Sequence, residues 1–263
     1  MRDSNFDPDF PTIARRAEWF IQKTLNQTLD GTIAINLHTL SGLLQATGPL
    51  DLADYQATVN ADNLYERAQY HAEVNFFPGS TQKKEFLSAV ANALFTQLSN
   101  LPESSALPVA SSLLHSIEEK NTLLSVVNPA TDHVLSTLNW NGAISPQPDS
   151  TMVVDSNFGV NKANYFLRRD TQVVITLAKD LSFNHVLRLR YSNTSTSNSW
   201  PAGAYKNYSR FYLPANSLIR QFKVGEKTLT PSDYTATSEH GKTVVGYLMT
   251  VPINSTVGVE LEY

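Results

Sequence analysis

The sequence predicts two architectures in one chain: an α/β layered domain over residues 1–160, then an all-β domain over 161–263, a sandwich of immunoglobulin-like size. Three observations carry this. A helix–strand–helix run spans Asp9 to Pro49. A second strand signal, Thr122 to Val127, feeds directly into the helix start Asn128-Pro129. Beyond Trp140 the apolar spacing changes from three-and-four to two, the period of strands.

In the first run, Phe10, Ile13, Ala14, Ala17 and Ile21 line one helical face. Asp9 is placed to cap it, and Pro11 falls in the first turn, where backbone N–H groups lack intrahelical partners. Asp30-Gly31 reverses the chain. Ile33, Ala34 and Ile35 form a nearly continuous apolar run, as in a strand covered on both faces. Leu37, Leu40, Leu43 and Leu44 begin a second helix, stopped at Thr47-Gly48-Pro49. A short strand is expected at Leu50 to Leu52 and a helix capped by Asn60 through Leu64 and Ala68. After a break at Phe77 to Ser80, a helix presents Leu87, Val90, Ala91, Leu94 and Leu98. Another is expected to open at Leu107-Pro108, with Ala110, Leu113, Leu114 and Ile117 as its stripe. The helix after Asn128-Pro129 carries Val134, Leu135 and Leu138.

The segment from Asn141 to Ser150 reads as a loop. Strands are then expected near Tyr165–Leu177, Ser209–Leu213, Leu218–Val224 and Thr243–Val251. Two further runs alternate clearly: Leu187, Leu189 and Tyr191 with Arg188 and Arg190, and Val257, Val259, Leu261 and Tyr263 with Gly258, Glu260 and Glu262. His240-Gly241 marks a hairpin turn. Short strands between Pro, Asn, Ser and Gly clusters describe a sandwich.

Composition narrows the function. A net charge of −4 and a pI near 5.9 give no basic footprint for nucleic acid. Charged residues make up 17% of the chain, below the roughly 25% of ordinary soluble domains, a mix common in secreted β-rich proteins. Without cysteine, thiol catalysis, disulfides and thiolate metal sites are excluded. No apolar run approaches the roughly 18 residues of a membrane span, and Met1 leads into the polar RDSNFDPD rather than a secretory leader. The abrupt start beside an incomplete α/β sheet suggests a piece of something longer, with strands upstream.

The order of the motifs RDSNFDPDFPTIARRAEWF, DGTIAINLHTLSGLLQATGPL and NKANYFLRRD resembles the bacterial family called domain of unknown function 4012. The resemblance covers most of the chain. It implies an uncharacterised cell-envelope module, extracytoplasmic and anchored by an N-terminal transmembrane helix absent from this chain. The helix–strand–helix unit is more distantly similar to the LytR-CpsA-Psr enzymes, which transfer glycopolymers from lipid pyrophosphate carriers to the cell wall. There, an arginine–aspartate pair follows a central strand, and an arginine-rich helix start precedes an RQ-x-x-FL stretch. On that resemblance Arg2 and Asp3 take the first position as catalytic candidates, Asp3 also as holder of a magnesium ion, and Lys83 and Lys84 take the second as pyrophosphate ligands. The departure is that lysines stand where the pattern has arginines, and an ammonium does not reproduce the bidentate guanidinium fork.

Other chemistry is fragmentary. Asp155, Asn157, Asn161 and Asn164 form an oxygen-rich run, but Gly159 is misplaced for a calcium loop and no glutamate closes it; turn-forming asparagines explain it. Six scattered histidines lack metal spacing, and GxSxG, P-loop and GxGxxG motifs are missing from the sequence. Tyr205, Tyr208, Phe211 and Tyr212 offer aromatic faces to a glycan, or sit half in the core. The expectation is a module that binds or scaffolds, its partner a cell-wall glycopolymer or another envelope protein, with no cofactor. The alternative is a glycopolymer phosphotransferase using Mg²⁺.

Overall fold

The computed structural model describes residues 5–73, 82–159 and 161–263. The chain divides into two compact units, Met1–Ile144 and Ser145–Tyr263. Helices dominate the first and strands the second, in the order the periodicity predicts.

The first unit runs α1 (Phe10–Leu25), β1 (Gly31–Ile35), α2 (Leu37–Thr47), β2 (Leu50–Leu52), β3 (Ala57–Val59), α3 (Leu64–Glu73), α4 (Gln82–Ser99), α5 (Glu103–Glu118), β4 (Thr122–Val126) and α6 (Pro129–Thr137). Asp9 caps α1 as its position demands: one carboxylate oxygen accepts from the Thr12 amide at 3.1 Å and the Thr12 hydroxyl at 2.6 Å. Its other oxygen accepts from the Ile144 amide at 3.1 Å. The residue that starts the first helix therefore also holds the last residue of the unit. Asn36 and Asn128 cap α2 and α6 in the same way. Leu40, Leu43 and Leu44 of α2 pack with Leu50, Val59, Leu64 and Ala68 and with Phe86, Val90 and Leu94 of α4.

Three expectations in this unit are corrected. The apolar run of β1 is not covered on both faces: Ile33 is 69% and Ile35 50% exposed. β1 pairs with β4 in an antiparallel two-stranded sheet, and the opposite face carries Thr32, whose hydroxyl reaches Glu18 of α1. Helix α5 begins at Glu103 rather than at Leu107-Pro108 and contains Pro108 in its interior. The proline looked like a start signal, yet here it is carried at the cost of one helical hydrogen bond. Its buried positions are Val109 and Ser116, while Ala110 and Leu114 are exposed. In α6 only Leu135 of the expected stripe is buried, with Val134 and Leu138 outside.

The second unit is all antiparallel. Its strands are β5 (Met152–Asn157), β6 (Leu167–Leu177), β7 (Phe183–Asn193), β8 (Tyr205–Leu213), β9 (Gln221–Val224), β10 (Lys227–Thr228), β11 (Thr235–Glu239), β12 (Lys242–Val251) and β13 (Ser255–Glu262). They form a five-stranded sheet, β10-β9-β13-β7-β6, and a four-stranded sheet, β11-β12-β8-β5. Leu187, Leu189, Tyr191, Phe222, Val259 and Leu261 of the first sheet pack against Tyr205, Phe211, Leu213, Val245, Met249 and Val251 of the second. This is a β-sandwich. His240 and Gly241 both take positive φ, 50° and 71°, in the two-residue turn between Glu239 and Lys242, as a tight hairpin requires. Strand β5 has no counterpart in the sequence reading, because its Asp155 and Asn157 look like turn residues. It pairs with β8, so the compact division falls at Ile144–Ser145 rather than near residue 160.

A histidine packs against the first core. The His71 ring stacks on Phe86, centroids 4.4 Å apart, and meets Tyr55 edge-on at 5.1 Å. Burial, and then the Arg67 guanidinium, lower its pKa from the ordinary 6.5. The folded state thus binds fewer protons than the unfolded chain as pH falls below about 6.5. The stability this neutral ring contributes is present above that pH and declines as pH falls toward the folded pKa. Thermal melts from about pH 8 to about pH 5 should show a larger loss for the wild type than for His71→Phe. Equal losses would mean the ring does not couple protonation to folding.

Candidate functional site

The residues singled out by resemblance fare unequally. Arg2 and Asp3 lie outside the described residues. Lys83 and Lys84 fall in the first turn of α4, and their side chains lie outside the described residues. Among the described residues no group of three or more His, Asp or Glu side chains is placed to hold a metal ion, and no helix is long and apolar enough to cross a membrane.

The oxygen-rich run resolves into a structural clasp. The Asp155 carboxylate on β5 accepts at one oxygen from Tyr191 (2.9 Å), Asn207 (2.7 Å) and Ser209 (2.7 Å). Its other oxygen takes Arg169 at 2.6 Å. Asn207 and Ser209 belong to β8 of the same sheet; Tyr191 and Arg169 belong to β7 and β6 of the facing sheet. The carboxylate is saturated by protein donors, so it does not serve as a calcium ligand. Asn157 and Asn161 likewise bond to Asn164 and the Ala204 carbonyl. Burial first, then the Asp155 charge, push the Tyr191 phenol well above its usual range, so it remains a donor. Of the four aromatic residues, Tyr205, Phe211 and Tyr212 are buried in the core and Tyr208 is half-buried.

In the first unit a small polar cleft of about 200 Å³ lies between α2 and α5, lined by His38, Ser41, Gln45, Ser112, His115 and Glu119. Gly42 brings the helices together, since a Cβ there would stand 2.7 Å from the Ser112 hydroxyl. Behind it, the hydroxyls of Thr39, Ser116 and Thr122 bond to one another at 2.7 to 3.1 Å. That knot satisfies itself and leaves no group directed outward.

The larger feature is a groove of about 750 Å³ on the outer face of the five-stranded sheet. Alternation builds it: Leu187, Leu189, Tyr191, Val259 and Leu261 point inward, so Arg188, Arg190, Gly258 and Glu260 point out. Register then sets them in two rows. Asp170, Arg190 and Gly258 lie side by side across β6, β7 and β13, followed by Gly225, whose amide bonds to the Gly258 carbonyl at 2.8 Å. Gln172, Arg188, Glu260 and Lys223 form the next row. Arg188 is held by Glu260 at 2.7 Å. Arg190 and Lys223 make no ion pair among the described residues. At the floor, a Cβ on Gly258 would meet nothing within 4 Å.

The alternation of these residues was visible in sequence. What was missing was the pairing of β13 with both β7 and β9, which makes neighbours of residues 35 to 76 positions apart along the chain, a non-local arrangement that local pattern does not encode.

Comparison with known proteins adds one finding. Residues 1–72 match the family model described as protein of unknown function, DUF4012. That supports the family for the N-terminal stretch, and the groove lies beyond it. No curated protein matches the chain, and no solved structure does.

Replacing Asp155 with alanine would leave three buried donors and a half-buried guanidinium without their shared acceptor. Each buried donor left without an acceptor costs about 1–3 kcal/mol, which together come to about 3 kcal/mol or more. Urea unfolding of Asp155→Ala should show a loss of that order, with calcium leaving the wild-type midpoint unmoved. A calcium-dependent upward shift would restore the run as a metal site.

Proposed function

We propose that the chain is a cell-envelope module that binds an extended, hydroxyl-rich glycopolymer along the outer groove of its sandwich, and that it scaffolds rather than catalyses. The observation that carries this reading is Gly258. Glycine inside a strand costs about 0.5–1 kcal/mol against a residue with a side chain, and it often marks close approach of a ligand or backbone. No neighbouring group requires its small size and its φ is not positive, so packing and turn geometry supply no other reason for it. It leaves open the floor between Arg190 and Gly225.

The lining suits sugars. Guanidinium, carboxylate and amide groups present paired donors or acceptors that match adjacent hydroxyls. Arg190 and Lys223 favour a polymer bearing phosphate or carboxylate groups. The groove is open and shallow, unlike small-molecule sites that bury 70–90% of their ligand, as is typical. On this reading the chain works outside the cytoplasmic membrane, held by a transmembrane segment upstream, as the family resemblance implies.

The test is co-sedimentation with purified cell-wall sacculi and titration with soluble anionic glycopolymer. Gly258→Leu fills the floor without a steric cost to the fold. It should lower affinity at least about tenfold, or ~1.4 kcal/mol, with a melting temperature equal to or above the wild type. Full binding by a folded Gly258→Leu variant would exclude the groove.

A further inference from the structure

Strand β6 is the edge of the five-stranded sheet and pairs along its whole length with β7 alone, from Leu167 opposite Asn193 to Leu177 opposite Phe183. Natural sheets protect such edges with shortness, charge, proline or bulges. The other outer strands obey this: β10 has two residues, β11 (TATSE) is short and polar, and β5 (MVVDSN) has six residues and carries the charged Asp155. β6 does not. It has 11 residues, and from Thr171 to Ala178 it reads TQVVITLA, with neither charge nor proline.

Its apolar residues are also uncovered. Val173 and Ile175 lie beside core-side Leu187 and His185 of β7, so they face the side on which the second sheet packs. The Asp155–Arg169 pair marks the reach of that sheet over β6. Past it, Val173, Ile175 and Leu177 and the neighbouring Phe183 are between 44% and 56% exposed.

We infer that β6 is a homodimer interface, pairing antiparallel with β6 of a second copy about a two-fold axis at Val174. The sequence of the strand is complementary to itself in that register. On the core side Val173 falls opposite the partner's Ile175, and Thr171 opposite the partner's Leu177. On the outer side Gln172 falls opposite the partner's Thr176. At the ends Arg168 and Arg169 reach toward the partner's turn, which carries Lys179 and Asp180 just past the strand, and Arg169 is already neutralised by Asp155. The registers on either side are poorer. An axis at Val173 sets Gln172 against valine and Thr171 against isoleucine. An axis at Ile175 sets Val174 against the partner's threonine and brings Asp170 toward Asp180 of the partner's turn, a like charge that disfavours the pairing. A two-fold contact of this kind closes on itself, so it yields a dimer rather than a fibre. The result is one continuous sheet in which the exposed strips of both copies adjoin. This inference stands on the edge strand and does not depend on what the groove binds.

Because the chain has no cysteine, single cysteines report the register directly. The intact chain carrying Val174→Cys, oxidised with copper phenanthroline, should give a disulfide-linked dimer in high yield. Thr176→Cys, which lies four residues from its own copy's symmetry mate in this register, should not. In sedimentation equilibrium the wild type should be a dimer and Val174→Lys a monomer with an unchanged circular dichroism spectrum, since Val174 faces outward. A monomeric wild type at high micromolar concentration would overturn the proposal, assigning the edge to another chain. So would cross-linking of Thr176→Cys as readily as Val174→Cys, or a Val174→Lys protein that remains dimeric.

Discussion

The Asp155 carboxylate is the point on which the sandwich depends. Apolar packing draws the two sheets together but is indifferent to how they slide. A charged acceptor with donors from β6, β7 and β8 converging on it is directional, and it fixes one alignment of the facing layers. It also explains why a short, polar strand such as β5 belongs to the sheet at all. Tyr191, Asn207 and Ser209 bond to one another as well, but without the carboxylate the cluster would have more buried donors than acceptors, and a buried donor without a partner costs about 1–3 kcal/mol. The polar cluster and the apolar core therefore support each other.

That alignment has a consequence for the opposite face. With Tyr191 anchored inward, the neighbouring positions on β7 are committed outward, and Arg188 and Arg190 stand at fixed spacing over β13. The groove is thus a by-product of the core's register rather than of a loop. Side chains carried on strands are held more rigidly than those on loops, so the two rows keep a fixed spacing. The pairing of Arg188 with Glu260 leaves the neighbouring cations less constrained, so the two rows differ in electrostatic character although they are built alike.

Much of this was legible in the chain. Caps and stops at Asp9, Gly48 and Asn128 are local chemistry, and they fall where the residue types place them. The alternation in β7 and β13 is local too, and it gave the correct inward faces. What escaped reading was set by distance. β5 looked like a loop because Asp155 and Asn157 find their partners on strands far along the chain. Pro108 looked like a helix start because the tertiary contacts of Val109 and Ser116 outweigh one lost hydrogen bond. Ile33 and Ile35 looked buried because an apolar run does not say how many strands lie beside it. For the site, the resemblance directed attention to Arg2, Asp3, Lys83 and Lys84, whereas the groove uses ordinary charged residues that become a set only through register.

The position of β13 carries a further implication. It is the last strand in the sequence, yet it lies in the middle of its sheet, hydrogen-bonded to β7 on one side and β9 on the other. Until those residues leave the ribosome, β7 and β9 have no common neighbour, and Phe222, Leu187 and Leu189 have no completed layer to enter. The sandwich therefore cannot assemble progressively as it is synthesised. It forms only once all of its own strands are available, well after the helices ahead of it have been synthesised.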